Sequence, residues 1–422
     1  MIFKLGIFIT LLYFYIWSTN KENIIKNGIS LSLNNIFIGV FSCYTFLPIL
    51  SSYINNKTFE YVDIFYRKSI IIIICLLFGN LMGRKFIKTK KKVNKKLEIL
   101  TKKNIIFWNI FLGIMNIIFL IMYIIFLRGG IKSFFSLGYR QSLIGDNTII
   151  TALLFGIFPY AMIFLDRDIN KNKFSYFITH IFLIFPIIIF IMGGQRNFLV
   201  ILLIIIMMIK LNSKKFNIFF IIFSLLICLI FLGLIAIFRE YNIINILSGK
   251  IELDWNKVWE YIFSFENGEL GTTLAFEKYK RMIVPEFSFP FKYGYSYTIL
   301  PLLNIVPKIL WKNKPLAYGD YFSQNAFGYF DGIGYGFSPI YEAEINFGMM
   351  WWLVFVFVGF FISWQDSRNN KKSHYYTNIL IASLTLNFFR IDFAVCFKFF
   401  IMMNLFKYIY LKCINLKRSL KE

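Results

Sequence analysis

The chain is built from long apolar blocks separated by short, basic connectors. Two of the blocks are SIIIIICLLFGNLMG (Ser69–Gly83) and FNIFFIIFSLLICLIFLGLIAIF (Phe216–Phe238). A helix needs about 20 apolar residues to cross a bilayer, and no soluble core accounts for so many blocks of this kind. Reading blocks and breaks gives about eleven, centred near residues 10, 42, 77, 116, 157, 183, 204, 227, 356, 382 and 402. The predicted fold class is all-α, a polytopic integral membrane protein of about 11 transmembrane helices. One junction is unusual: in FIMGGQRNFLVILLIII (Phe190–Ile206), Arg196 stands between two apolar runs, after two glycines and a glutamine.

The connectors predict orientation. The strongly basic stretch Arg84–Lys103 is assigned to the cytoplasm, because lysine and arginine accumulate in cytoplasmic loops. Counting crossings from there puts 166–173, 210–215, 365–374 and the C-terminal residues on the same side, and each is rich in lysine or arginine. It leaves 128–147, 193–197, 239–346 and the turn around Arg390 outside. For the first two helices the charges barely discriminate, with Lys21 and Lys26 set against Lys57, Arg67 and Lys68. The first block, MIFKLGIFITLLYFYIW, imitates a signal peptide but lacks a small-residue cleavage site, so a retained helix is expected.

One connector breaks the pattern. Residues 239–346 form a loop long enough to carry a function of its own. The chain therefore divides into 1–238, about eight N-terminal transmembrane helices; 239–346, a large extracytoplasmic loop; and 347–422, C-terminal helices with a basic cytoplasmic tail. The loop opens polar and helical, continues as the amphipathic YGYSYTILPLLNIVPKILWKNKP (Tyr293–Pro315), and ends glycine-rich. The middle part is apolar but too short and proline-broken to cross, which predicts a re-entrant or interfacial helix.

Composition agrees, with 58% hydrophobic residues and mean hydropathy +0.63, against roughly 45–50% apolar residues in a soluble domain. The net charge is +24, and its lysines concentrate in short connectors, so it reads as a topology signal and not as a nucleic-acid footprint. The five cysteines include no C-x-x-C pair, and none falls in the long loop, so neither a disulfide framework nor a zinc site is expected. The Asp166–Asp168 DRD resembles a nucleotide-sugar metal motif, but it lies in a short cytoplasmic turn. The two histidines, His180 and His374, also fall towards the inside, which leaves no histidine for outer-face catalysis.

The candidate chemistry lies outside. The outer face carries Arg128, Lys132, Arg140, Arg196, Arg239, Arg281, Lys308, Lys312, Lys314 and Arg390, where topology does not call for cations. Arginine offers planar, permanently charged recognition of phosphate. The competing role for each is snorkelling to a headgroup or capping a helix end. Arg196 and Arg390 sit at span ends, and Gly193 and Gly194 allow close backbone approach beside Arg196. The outer carboxylates are Glu342 and Glu344 in SPIYEAEINFG, Asp320, Asp331 and Asp392. Such a group acts as a general base on a sugar hydroxyl or holds an arginine, and position does not separate the two. Glu342 also suits a helix start after Ser-Pro. Loop aromatics such as Tyr297 and Trp311 stack on sugars or form an interfacial belt.

Taken in order, the GGQRN span start, a large late loop, YGYSYTILPLLNIVPKILWKNKP, and SPIYEAEINFG leading into the next span resemble the O-antigen and capsule oligosaccharide repeat-unit polymerases, the Wzy family. The resemblance is clearest over about 190–350, and as topology it extends to most of the chain. Two departures are visible: Gln195 separates Gly194 from Arg196, and Lys308 stands where arginine is usual. The resemblance implies a metal-independent inverting glycosyltransferase of the bacterial cytoplasmic (inner) membrane, working on the extracytoplasmic side without a cofactor. It moves a growing glycan from undecaprenyl diphosphate onto a new lipid-linked repeat unit. Implied partners are those lipid-linked donor and acceptor glycans, the bilayer, a chain-length regulator and a flippase. Implied catalytic residues are Arg196, Arg390 and Glu342, the last as base or orienter. Arg140, Arg281, Lys308, Lys314, Gly194, Tyr297, Trp311 and Asn346 are implied in diphosphate or substrate binding. Rival readings are a lipid-linked-oligosaccharide flippase or transporter, which usually shows repeat symmetry, and an O-antigen ligase, which relies on a loop histidine absent here.

Overall fold

The structure, a computed structural model, describes residues 2–20, 29–30, 32–54, 60–85, 102–125, 156–164, 173–192, 196–210, 215–216, 248–249, 254–263, 271–282, 293–306, 310–311, 313–327, 336–368 and 372–419, with a few isolated positions between 227 and 252. The elements are α1 (Ile2–Asn20), β1 (Ile29–Ser30), α2 (Leu33–Ile54), α3 (Glu60–Lys85), α4 (Lys102–Ile125), α5 (Ile157–Phe164), α6 (Lys173–Met192), α7 (Arg196–Lys210) and β2 (Lys215–Phe216). They continue as α8 (Trp255–Phe263), α9 (Thr272–Met282), α10 (Tyr295–Ile305), α11 (Tyr318–Phe327), α12 (Pro339–Phe347), a 3₁₀ turn (Gly348–Met350), α13 (Trp352–Ser367), α14 (Lys372–Phe388) and α15 (Phe393–Ser419).

The all-α expectation holds. Among the described residues the only strands are β1 and β2, two residues each, paired antiparallel with Ile29 opposite Phe216. Of the described helices, α2 alone is long and apolar enough to cross a membrane. Pro339–Met350 and Trp352–Ser367 pass that test only together, bent by 115°. Shorter apolar runs occupy Phe3–Thr19, Asn109–Met122, Phe177–Ile191 and Phe198–Lys210. The block expected near 227 lies almost wholly outside the described residues.

Three glycine contacts set the bundle. A Cβ on Gly79 of α3 would lie 2.1 Å from the Val356 carbonyl oxygen, and one on Gly83 would lie 2.7 Å from that of Phe360. A Cβ on Gly359 of α13 would lie 2.5 Å from Leu76 O. The two backbones are in direct contact and run parallel, which is how small residues tighten helix pairs without a hydrophobic driving force. At one end of this pair, the Arg84 guanidinium donates to the Ser18 carbonyl and, at 3.0 Å, to Thr19 O. There Asp366 accepts from Leu33 N at 3.3 Å and Asn34 Nδ2 at 2.8 Å. At the opposite end, Lys4 pairs with Asp63 at 2.6 Å, and the Tyr53 hydroxyl donates to the same carboxylate at 3.0 Å. Charge counting left the first two helices unordered; these contacts set α1 antiparallel to α2 and parallel to α3.

The long loop folds into short helices, as its sequence predicts. α9 packs on α2, α3 and α12, and α10 packs on α15. The loop has its own aromatic centre, where the Phe276 ring lies 4.9 Å from Phe322, 5.1 Å from Phe337 and 5.9 Å from Tyr341. It sinks between the long helices. Thr273 Oγ1 donates to Tyr44 O at 2.7 Å, and Lys68 meets the side chains of Glu277 and Glu344. Tyr44 precedes the end of α2 by ten residues and Lys68 follows the start of α3 by eight, so at 1.5 Å per residue the loop is recessed by about 12–15 Å.

Candidate functional site

The site is organised by α12. Ser338 takes extended backbone and its hydroxyl accepts from Tyr341 N, while Pro339 supplies a first helical residue with no N–H to satisfy. Gly348 at φ 53° ends the helix. In the resulting nine-residue helix, residues 342 and 346 share a face and residue 344 points nearly opposite, because each residue turns about 100°.

The two faces have different partners. Glu342 is 1% exposed, and its Oε2 accepts from Phe393 N at 2.9 Å. Asn346 Nδ2 donates to Ser296 Oγ and to Glu342 O, both at 2.8 Å, while its Oδ1 accepts from Ser296 N at 3.3 Å. On the opposite face Glu344 pairs with Lys68 at 2.5 Å, and Lys68 also pairs with Glu277. Their side chains are 13%, 13% and 5% exposed for Lys68, Glu344 and Glu277, so the trio is shielded from screening solvent. Thus Glu342 reaches α15, Asn346 reaches α10 and Glu344 reaches α3, all within five residues.

A second carboxylate shares the start of α15. Asp392 is buried and caps the helix, with Oδ1 accepting from Val395 N at 2.9 Å. Its Oδ2 accepts from Gly319 N at 3.1 Å, which ties α11 to the same point. Glu342 and Asp392 therefore both occupy amides that the helix cannot satisfy itself, at the end where its dipole favours negative charge. Burial, then the Asp392 charge, raises the Glu342 carboxyl above the usual range; the Ser296 hydroxyl and the Phe393 amide oppose this. Asp392 is also raised, by burial first and then by the Asp320 charge, against the pull of the Val395 and Gly319 amides.

Two oxygens of this cluster are left over. Among the described residues, Glu342 Oε1 and the Tyr297 hydroxyl are buried with no hydrogen-bond partner. The Tyr297 ring lies 5.8 Å from Phe347 and 5.1 Å from Phe393, which fixes the phenol beside the carboxylate. A buried polar group without a partner needs a reason, and a raised carboxyl with one open oxygen is equipped to exchange a proton.

The turn that bears Arg390 adjoins the start of α12. Phe337 N donates to Arg390 O at 2.6 Å, so the turn bearing Arg390 clasps the segment that leads into α12. Gly336, at φ 79°, has no room for a Cβ there, which would lie 2.6 Å from Arg390 O. α7 packs against α14, with the Tyr375 hydroxyl donating to Met208 O at 3.4 Å. Arg196 lies twelve residues before Met208 and Asn387 twelve after Tyr375, about 18 Å along each axis. The antiparallel pair thus brings the backbone of Arg196 level with the Arg390 turn. The Arg196 and Arg281 side chains, and Arg140, Gly194 and Lys308 altogether, fall outside the described residues.

Two other expected residues are placed as follows. Lys314 Nζ donates to Asn304 Oδ1 and Val306 O, each at 3.2 Å, at the C-terminal end of α10, where a cation complements the helix dipole. Trp311 is 38% exposed. Ser296 and Glu277 had no expected role, and Lys68 entered only among the charges weighed for the orientation of the first two helices.

A family model described as O-antigen polysaccharide polymerase Wzy matches residues 2–420 of the chain. No curated protein and no solved structure matches it.

Proposed function

The chain belongs to the O-antigen polysaccharide polymerase Wzy family, and from that premise we propose that it joins undecaprenyl-diphosphate-linked repeat units by inverting glycosyl transfer. Family membership gives a membrane setting, a role in polysaccharide synthesis and lipid-linked oligosaccharide substrates. In our reading about eleven helices span the cytoplasmic membrane, and α9 to α12 lie recessed on its extracytoplasmic side. A hydroxyl of the incoming repeat unit attacks the anomeric carbon of the growing glycan, and the bond from that carbon to the diphosphate oxygen breaks. The hydroxyl proton passes to Glu342 Oε1. Undecaprenyl diphosphate departs as an anion, and Arg196 and Arg390 stabilise the charge that develops on it. Since the diphosphate is already an activated leaving group, this chemistry calls for neither a metal nor a nucleotide sugar. A flippase and a chain-length regulator are the expected companions.

The observation that carries this reading is the open oxygen of Glu342, at a carboxyl whose affinity for protons is raised, beside the turn of Arg390. A base titrating nearer neutrality than a free carboxylate suits proton abstraction. Glu342 is sealed in this state, so an acceptor reaches it only when α10, with Ser296 and Tyr297, gives way.

The test is complementation of a strain lacking its own polymerase. Glu342→Gln and Arg196→Ala should each reach the membrane in normal amount and leave single repeat units on lipid, without a long-chain ladder. A normal ladder from Glu342→Gln overturns the role of that carboxylate, and one from Arg196→Ala overturns the phosphate clamp.

A further inference from the structure

α12 hangs between two fixed bodies. Its C-terminal end continues through the Gly348 bend into α13, which is locked onto α3 by Gly79, Gly83 and Gly359. Its far face carries Glu344, which meets Lys68 on that same α3. α3, α13 and α12 therefore close a triangle, and the Lys68–Glu344 contact is the side that a single substitution opens. Lys68 also holds Glu277 on α9, the helix that packs against α12. One ammonium thus joins both loop helices to the bundle.

We propose that Lys68 is a positioning residue for the polymerase reaction. Through Glu344 it sets the rotation of α12 about its own axis, and so the direction in which Glu342 presents its open oxygen. The argument is geometric. Glu342 and Glu344 project from nearly opposite sides of one short helix, so a pull on one side fixes the aim of the other. Without Lys68, the tie from Glu344 to α3 is gone, and α12 loses the contact that fixes its rotation against α3. The idea rests on Glu342 being the acting carboxylate.

The experiment measures polymerisation of a lipid-linked repeat unit by membranes carrying the full-length chain, with membrane abundance recorded for each variant. Lys68→Met should lower turnover tenfold or more with little change in KM for the lipid-linked substrate, because the chemistry is misaimed while binding is retained. Lys68→Arg should stay within about threefold of wild type. The swap Lys68→Glu with Glu344→Lys keeps one cation between two carboxylates and should recover most of the activity lost in Lys68→Met. Glu344→Gln leaves the Lys68–Glu277 pair intact and should lower turnover alone. Wild-type turnover in Lys68→Met, or in Glu344→Gln, overturns the proposal. If Lys68→Met fails to accumulate, Glu344→Gln decides by itself. Glu342→Gln in the same membranes separates the two failures: if it is active, the premise about Glu342 is wrong; if it is inactive while Lys68→Met is normal, only the positioning role is wrong.

Discussion

Gly79 and Gly39 both lie inside long helices, and alanine at the two positions should have opposite effects. In a helix interior, alanine is favoured over glycine by about 1 kcal/mol, since the unfolded chain loses less freedom. Gly39 faces open space, with nothing within 4 Å of an added Cβ, so Gly39→Ala keeps that gain. At Gly79 the added carbon meets backbone: Val356 O at 2.1 Å and Phe360 N at 2.8 Å, where ordinary contact begins at 3.4 Å. Neither atom belongs to a side chain that can rotate away, so α13 must retreat from α3 by more than about 1 Å. Overpacking typically costs about 1–3 kcal/mol, and a clash with backbone belongs at or above the upper end. Net of the helix-propensity gain, Gly79→Ala should destabilise by about 2 kcal/mol while Gly39→Ala stabilises by up to about 1 kcal/mol. Thermal unfolding of the detergent-solubilised protein measures both. Because α13 continues into α12, Gly79→Ala should also shorten the glycan ladder, and Gly39→Ala should not. Equal unfolding temperatures for the two variants would refute the α3–α13 contact as described.

The remaining predictions concern the carboxylate cluster. If ionised Glu342 is the base, the rate should rise with pH through its raised pKa, and activity should be lost at a higher pH than a free carboxylate would give. Asp392→Asn removes the neighbouring negative charge, so Glu342 should ionise more easily and the acid limb should move to lower pH; an unmoved limb refutes the coupling. Asparagine is also a good helix cap, so this variant should lose mainly the Gly319 amide bond, about 1 kcal/mol. Asn346→Asp exchanges two donated hydrogen bonds for a third buried carboxylate beside Glu342 and Asp392 and should destabilise by about 2 kcal/mol or more. An unchanged unfolding temperature would show that Asn346 does not anchor α10.

Much of the fold was legible because apolar length is a local property. The long helices, the short helices of the loop and the Ser-Pro start of α12 each follow from their own residues. Of the residues expected to act, Glu342, Asn346 and Tyr297 pack around the start of α15, and the backbone of Arg390 adjoins the segment that leads into α12. What stayed hidden depends on which helices are neighbours. Glu342 and Glu344 look alike in SPIYEAEINFG, and only the packing of α12 between α3 and α15 turns one to a buried amide and the other to Lys68. Lys68 was counted as a topology charge, and its two partners lie more than two hundred residues away. Gly79 and Gly83 had no assigned purpose until α13 was placed against them. Lys314 sits in a basic segment whose sequence suggests phosphate, yet its ammonium sits at the end of α10.

The α3–α13 seam bears on how the chain is assembled during synthesis. Leu76, Gly79 and Gly83 meet Val356, Gly359 and Phe360, so this face of α3 cannot be covered until nearly the whole polypeptide has been made. Until then the groove along Gly79 and Gly83 lies open to lipid or to whatever insertion factor attends the nascent chain. Loop-closure entropy over so long a separation favours late, slow docking. A ribosome stalled before residue 352 would leave the Gly79–Gly83 face of α3 uncovered, a candidate signal for quality-control proteolysis.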